Sequence, residues 1–593
     1  MSAKEKKVSV TFDEVAISGD YVYDAKQDQV LGGKREALVV MAAGIFAPWK
    51  TPFYLGFKQE LSVDLVYSWI EKLHEVGFTA ASITSDLGPK NQKLYRLLNV
   101  TKERPFFLSP CDGKKVFVFA DPPHMLKLCR NHLIDQQLVL NSNEEKKNWI
   151  RASCQPLAEL VHLRREDGID EDLTNKKMLA AHLKVKGAER QKVRIAAETC
   201  SRTTAAMLSK YKDRLSSEHV DGTIKYILAT DTVFDIFNVK EDLREKGLGH
   251  KIPTQKLPFG AEREKQEEML ENIKNVFSQM RKILPSGSLS TAMDPYQKGI
   301  LWNCKSLPEM TDFLKEDLND PQLHILTYYL NQDCLENMFS SIRAYGGTHR
   351  NPDQLEFIHR LNKYLLAKSP DIILQHVNNN TEGHLQQFGL CADALEELSE
   401  LDSGEEDVDS QEKRDFEGGA ENEDEEQETN DLDVNLENAE EEMDEMDSTD
   451  EEYTLGLEGL AAILAFRLRA DSSLVGSTQE NDNLSNMPAW ISPYSKIGFL
   501  NPSDLCKSHV FTLDGIFGQL HGEKWEDINM NQGVAKRFEK LCSQKAPEVP
   551  LNMVRLFAKL RLLAKMRFKN RKSHDRENKR GEHRNKQKTS QYL

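Results

Sequence analysis

Three carboxylates stand where phosphodiester chemistry could use them. Asp13 lies mid-strand in TFDEVAI, where an ionised group flanked by apolar residues is costly to bury without a partner or a metal. Asp86 follows the strand-like run Phe78–Thr84 in SDLGPKN, at the strand end where open sheets place their sites. Glu336 lies in NQDCLENMFSSI, which reads as helix, with Asp333 one turn earlier on nearly the same face. Two strand carboxylates and one on a distant helix could hold two Mg²⁺ ions about 3.5–4 Å apart, activating a water or a 3′-hydroxyl and stabilising the leaving oxygen. Residue types alone leave this open, because a lone strand Asp is more often a structural or turn residue.

The elements that must position these groups read as mixed α/β. Val8–Ile17, Ala37–Phe46, Pro52–Phe57, Phe78–Thr84 and Lys115–Ala120 carry the β-branched and aromatic runs of strands. A helix starts at Ser62, with Leu65, Trp69, Leu73 and Val76 on one face and Gly77 placed to cap it; others follow at Gln92–Leu98 and after Asp121. From about residue 141 to 325 the pattern turns helical, at Glu144–Leu163, Gln191–Lys210, Asp221–Asn238 and Glu262–Leu284. Gln322–Met338, Pro352–Leu366, Gly459–Leu468 and the basic, amphipathic Leu551–Phe568 complete the expected helices.

Charge is segregated. The net charge is −17, but about 30 acidic residues lie between Asp393 and Glu452 against only Lys413 and Arg414, and the remainder is basic by roughly +11. The acidic segment has too few large apolar residues to fold alone. The basic excess concentrates after Arg555 and suits contact with phosphate backbone. Nine scattered cysteines without a CxxC pair argue for reduced thiols and against a zinc finger or disulfide framework. No apolar run approaches the roughly 20 residues of a membrane span, so no membrane partner is expected.

Longer blocks carry a resemblance. TSDLGPKNQKLY, KVFVFADPPHMLKLCRNH, QKVRIAAETCSRTTAAML, TDTVFDIFN, NQDCLENMFSSIRAYGGTHRNP and PAWISPYSKIGFLNPS are similar to P-element transposases and their THAP-domain relatives. The resemblance covers nearly all of the chain outside the acidic segment and the extreme tail. It implies an RNase H-like core with the acidic triad on its first strand, fourth strand and a late helix: Asp13, Asp86 and Glu336. It also implies Mg²⁺ or Mn²⁺ as cofactor, with Asp333 a further candidate ligand. The domains implied are 1–140, the first part of the catalytic fold; 141–320, a helical insertion; 321–390, the last part with Glu336; 391–455, acidic; and 456–593, a helical C-terminal region with a basic tail.

In P-element transposases the matching insertion binds GTP as a cofactor that is not hydrolysed. No GxxxxGK[ST] is present here, so a phosphate cradle of that kind is excluded. The resemblance places guanine recognition on Phe234, Asp235 and Asn238, with Lys192 and Val193 as a second contact. Without the resemblance, Phe234 would read as a helix core residue and Asp235 and Asn238 as solvated.

Other positions keep two readings. Asp121 and His124 form a D-x-x-H that is either a helix cap with a packed histidine or part of the site. Lys127 and Arg130 fit phosphate contact or a solvated helix face, and Trp302 fits base stacking or the core. The first strand begins within ten residues of Met1 and no cysteine precedes Cys111, so the family's N-terminal C2CH zinc domain is expected to be missing. The functions expected are a DNA-cleaving and strand-joining enzyme acting as a homo-oligomer in the nucleus, or a catalytically inactive, domesticated DNA- and GTP-binding descendant.

Overall fold

The computed structural model describes residues 1–57, 59–166, 180–244, 252–347, 349–368, 450–476, 500–522 and 528–590. The acidic segment up to residue 449 and most of PAWISPYSKIGFLNPS lie outside them.

The N-terminal strands are Lys7–Ala16 (β1), Val22–Asp24 (β2), Gln29–Leu31 (β3), Glu36–Gly44 (β4), Lys50–Phe57 (β5), Thr79–Ser85 (β6), Phe106–Leu108 (β7) and Lys115–Ala120 (β8). Six of them form a mixed sheet in the order β5-β4-β1-β6-β8-β7. β1 and β6 are parallel, as are β6 and β8, and β7 closes the edge antiparallel to β8. The interior strands are buried on both faces, so Val8, Val10, Phe12 and Val116–Ala120 are nearly continuous apolar runs. All five expected strands are present. The short edge strand β7 and the hairpin β2–β3 were not expected, because three-residue strands are too short to show a period.

Helices Val63–Glu75 (α1), Pro89–Leu97 (α2) and Pro122–Asp135 (α3) pack around this sheet. Ser62 caps α1 by accepting from Leu65 N at 3.2 Å, and Gly77 ends it at φ +83°, where a side chain would be strained.

The following region holds the short strands Leu138–Val139 (β9), Arg151–Ala152 (β10) and Arg281–Lys282 (β11) and the helices Gln155–Glu166 (α4), Ala180–Leu183 (α5), Val193–Thr199 (α6), Arg202–Lys210 (α7), Val220–Ile236 (α8), Arg263–Gln279 (α9) and Pro295–Leu318 (α10). Four expectations need correction. Glu262–Leu284 is helical only to Gln279, since Arg281 and Lys282 form β11 and pair with β9. Glu144–Leu163 is a single 3-10 turn at Lys146–Asn148 and α-helical only from Gln155, because Ile150 pairs backwards with Leu140 and Asn141 and leads into β10. Gln191–Lys210 is two helices, since Ser201 breaks the run and caps α7 through Thr204 N. Gln322–Met338 is not one helix: Ile325 exchanges two backbone bonds with Phe259, and the helix Asp333–Ala344 (α11) starts only after them.

Helix α10 was missed outright, its pattern interrupted by Gly299 and Pro308. It opens with a capping box between Asp294 and Gln297 and lies against β8. There Asn303 accepts from Ala120 N at 2.8 Å and donates to Ala120 O at 2.7 Å, while Ser306 donates to Val118 O at 2.7 Å. The last helix of the interrupting region thus holds the end of β8. Trp302 meets Tyr95 edge-on at 5.9 Å, a packing role.

A second compact unit comprises residues 16–37, 342–364 and 427–593. Its described elements are the β2–β3 hairpin and helices Gln354–Lys368 (α12), Asp450–Arg467 (α13), Asp504–His521 (α14), Val534–Lys545 (α15) and Leu551–Ser590 (α16). Its core is built on Leu460, Leu464, Val510, Phe517, Phe538 and Phe557. The hairpin belongs here because the Asp28 carboxylate accepts from Ala535 N and Lys536 N at the start of α15, at 2.8 and 3.0 Å. The eight cysteines among the described residues form no disulfide, and no described helix is long and apolar enough to cross a membrane.

Close approach at Gly299 yields a stability test. A Cβ there would sit 2.7–2.8 Å from Leu87 Cδ1, Ala120 Cβ and Met125 Sδ. Gly299→Val is expected to lower stability by about 1–3 kcal/mol. Gly515→Ala, where a Cβ meets nothing within 4 Å, should instead raise it by about 0.4–1 kcal/mol. Urea unfolding of both variants checks the pair.

Candidate functional site

The sheet register lines up three carboxylates. Thr11 of β1 pairs with Thr84 of β6, and Thr84 with Phe119 of β8. Two residues beyond each member of that row stand Asp13, Asp86 and Asp121. Parallel strands carry equal offsets to the same edge, so these three side chains leave neighbouring strands at the carboxyl end of the sheet. Asp86 is shaped locally: its Oδ1 accepts from Gly88 N at 3.0 Å and from Asn91 Nδ2, which bends the chain into α2.

Helix α11 is brought to this edge by its own first residues. Gln332 N donates to Asp121 Oδ1 at 2.8 Å, and Gln332 Nε2 donates to Phe12 O, next to Asp13, at 2.6 Å. Thr84 donates to Leu330 O at 3.1 Å, and Thr11 Oγ1 lies 3.6 Å from Cys334 Sγ. Glu336 therefore stands in the first turn of a helix anchored to β1, β6 and the end of β8, with Asp333 one turn before it. Gln332 was not singled out from sequence; nothing but its place beside Asp333 could have pointed to it.

The electrostatics record the crowding. Burial, then Asp86, Asp121 and Glu336, push the Asp13 carboxyl up to about 8. Burial lifts Asp121 to about 7 despite the bonds from Gln332 N and His124 N. Burial and Glu336 raise Asp333 as well. Asp121 caps α3 by accepting from His124 N at 2.9 Å, and burial and Lys127 push His124 down to about 4, so its ring is neutral at pH 7.

Lys127 and Arg130 do not lie on a solvated face. Both are buried, because α3 packs against α6, α8 and α10. Arg130 donates to Arg190 O at 2.6 Å. The Lys127 ammonium faces Glu336 Oε1 at 3.7 Å. The carboxylates are grouped but not closed on one point: among the described residues, no three His, Cys, Asp or Glu side chains converge to hold a single metal ion.

A second group lies on α3, α6 and α8. Phe234 and Val193 pack in one cluster with Leu126, Ala196 and Cys200. Asp235 follows on α8, its carboxyl raised by burial and facing Lys256 at 3.7 Å. Asn238, just past the helix end, has a buried Oδ1 that accepts no hydrogen bond among the described residues. Lys192 is exposed and precedes the first residue of α6.

Comparison with known proteins bears on both groups. Residues 1–99 match the family described as "TNP-like, RNase H N-terminal domain", and residues 123–251 match "TNP-like, GTP-binding insertion domain". Asp13 and Asp86 fall in the first match and the Lys192–Asn238 group in the second. The chain is 30% identical over 366 residues to the Transposable element P transposase of Drosophila melanogaster, covering 61% of this chain and 45% of that protein. It is 26% identical over 340 residues to human DNA transposase THAP9, covering 54% of this chain and 35% of that protein. It thus spans less than half the length of either curated relative. The solved Drosophila P element transposase strand transfer complex matches with a TM-score of 0.54 at 29% identity, over 62% of this chain and 78% of that one.

The charge row predicts an inverted pH response. Asp13 binds its proton more tightly folded, at about 8, than unfolded, at about 3.9. Its contribution to stability is therefore greatest below about pH 4 and is lost as pH rises through about 8. In a chelator, unfolding midpoints should fall between pH 6 and 9, and fall less in Asp13→Asn. Equal slopes for the two proteins would show that Asp13 is not the crowded group.

Proposed function

From a chain that carries a TNP-like RNase H N-terminal domain and a GTP-binding insertion domain, we propose the core of a P-element-like DNA transposase. It cleaves DNA and joins the freed 3′-hydroxyl to a target, with Mg²⁺ or Mn²⁺ and with GTP bound but not hydrolysed. The observation that carries this reading is the in-register row ending in Asp13 and Asp86, onto which Gln332 draws the helix bearing Glu336. The reading includes a homo-oligomer in the active complex and a nuclear location. Its domains are 1–140 and 321–390 for the catalytic fold, 141–320 for the insertion, 391–455 for the acidic segment and 456–593 for the C-terminal region.

Asp13, Asp86 and Glu336 would hold the divalent cations, with Asp333 a further oxygen donor. The fit rests on hard oxygen ligands at a site where burial, then the negative charge of Asp86, Asp121 and Glu336, holds Asp13 protonated to about pH 8. Bound there, the cations supply an activated oxygen nucleophile and offset charge on the leaving oxygen. The chain itself does the positioning. Asp121 and Gln332 fix the start of α11 against β1, which brings Glu336 near the strand carboxylates. His124, half-buried and neutral at pH 7, packs beside them without adding charge. Exposed Lys559 and Arg567 on α16 offer cations for phosphate backbone.

In the insertion, Asp235 would accept the N1 and N2 hydrogens of guanine, and Phe234 would stack on the base. Asn238 Oδ1 is a buried acceptor that a ligand donor would satisfy. Lys192 would face ribose or phosphates, with Val193 packing beside Phe234.

Strand transfer from a pre-cleaved DNA end, in Mg²⁺ or Mn²⁺, tests the catalytic reading. The native chain should give joined product and Asp13→Asn at least about 100-fold less. Equal product from both, or none from the native chain, refutes the enzyme. Asp235→Asn should shift the ratio of guanosine to xanthosine triphosphate affinities toward xanthosine by about tenfold or more; an unchanged ratio removes Asp235 from base recognition.

A further inference from the structure

Lys127 is out of place for a lysine. It projects from α3 into the carboxylate group with only 8% of its surface exposed, although lysines are almost never buried unless paired. Its single ion pair among the described residues is with Glu336 Oε1, at 3.7 Å. Around it stand Asp121 at the start of α3 and Asp333 on α11; His124, one turn before it, is neutral at pH 7. Other lysines near this end of α11 are placed differently. Lys50 of β5 is exposed, and Lys240 lies over the Tyr328 ring at 4.4 Å.

We propose that Lys127 is a built-in counter-ion that holds Glu336 in reserve and competes with a divalent cation for its carboxylate. This rests on the metal-dependent reading above and adds a residue to it. The geometry explains two observations together. Four carboxylates, on Asp13, Asp86, Asp121 and Glu336, are crowded enough to repel one another, yet no three of the described acidic, His or Cys side chains converge to hold one ion. Glu336, on the only mobile-length side chain of the four, is turned to an ammonium instead. A buried monovalent cation lessens the repulsion that would otherwise oppose folding α11 onto the sheet. When a dication takes the carboxylate, the ammonium loses its partner and becomes a positive group beside the reacting centre. Lys127 is thus a positioning residue: it acts through Glu336.

The test reads cation binding directly. Free Mn²⁺ is followed by electron paramagnetic resonance with the full chain, without nucleotide or DNA, and the site is defined as the binding lost in Asp13→Asn. Lys127→Met should bind that Mn²⁺ about tenfold or more tightly, because a competing cation has gone. Lys127→Arg, which keeps the charge, should stay near native, and Lys50→Gln within about twofold. Unchanged or weaker binding in a folded Lys127→Met, or equal tightening in Lys50→Gln, overturns the proposal while leaving the metal site standing. Absence of Asp13-dependent binding in the native chain overturns the metal reading and this proposal with it. The native protein supplies a second measurement that needs no variant. Acylation of Lys127 by an amine-reactive reagent, mapped by mass spectrometry, should quicken when Mn²⁺ saturates; a rate unaffected by Mn²⁺ also overturns the exchange.

Discussion

Asp121 accepts two backbone N–H groups at once, from His124 at the start of α3 and from Gln332 just before α11. The first bond is an ordinary helix cap between neighbours. The second joins residues 211 apart in sequence, across the whole interrupting region. Because Gln332 also donates to Phe12 O, three elements distant in the chain meet at one buried point. Glu336 reaches the strand carboxylates through that junction, and its loss would strip the buried Oδ1 of Asp121 of its Gln332 donor, at a cost of about 1–3 kcal/mol.

The same junction explains how a long insertion is tolerated. The entropy of closing a loop grows only with the logarithm of its length, so the added helices cost little if their ends are fixed. α3 leads into the insertion from the Asp121 cap, and α10 returns along β8, bonded to Ala120 and Val118 through Asn303 and Ser306. Entry and exit are therefore held at the end of the same strand. One apolar core then runs from the sheet through Tyr226, Phe277 and Leu307.

What was legible in the sequence follows from how local each signal is. The five longer strands showed because buried parallel strands read as apolar runs. Asp13 and Asp86 could be placed on strands, but their alignment could not, since register is set by pairings the sequence does not print. Lys127 read as a phosphate contact or as part of a solvated face, because nothing local reveals that α3 is covered on so many sides. Helix α10 was hidden by Gly299 and Pro308, and the Gly299 break is itself a requirement of contact with Leu87, Ala120 and Met125. Gln322–Met338 had a helical pattern that lost to the pairing of Ile325 with Phe259. The Lys192–Asn238 group was found through resemblance, its chemistry being ordinary for a helix end.

Charge is the constraint common to these elements. A site made of carboxylates at the ends of adjacent strands is repulsive by construction, and burial strengthens the repulsion. The fold meets it in three ways: backbone donors on Asp86 and Asp121, a proton held by Asp13 to about pH 8, and the ammonium of Lys127 beside Glu336. None of the three neutralises the group fully while leaving it able to change. Donors are fixed by the backbone, whereas the proposed exchange would let a stronger cation replace both the proton and the ammonium. On the metal-dependent reading, a site stabilised by exchangeable charge would stay folded before cations bind and would yield the same oxygens to them afterwards.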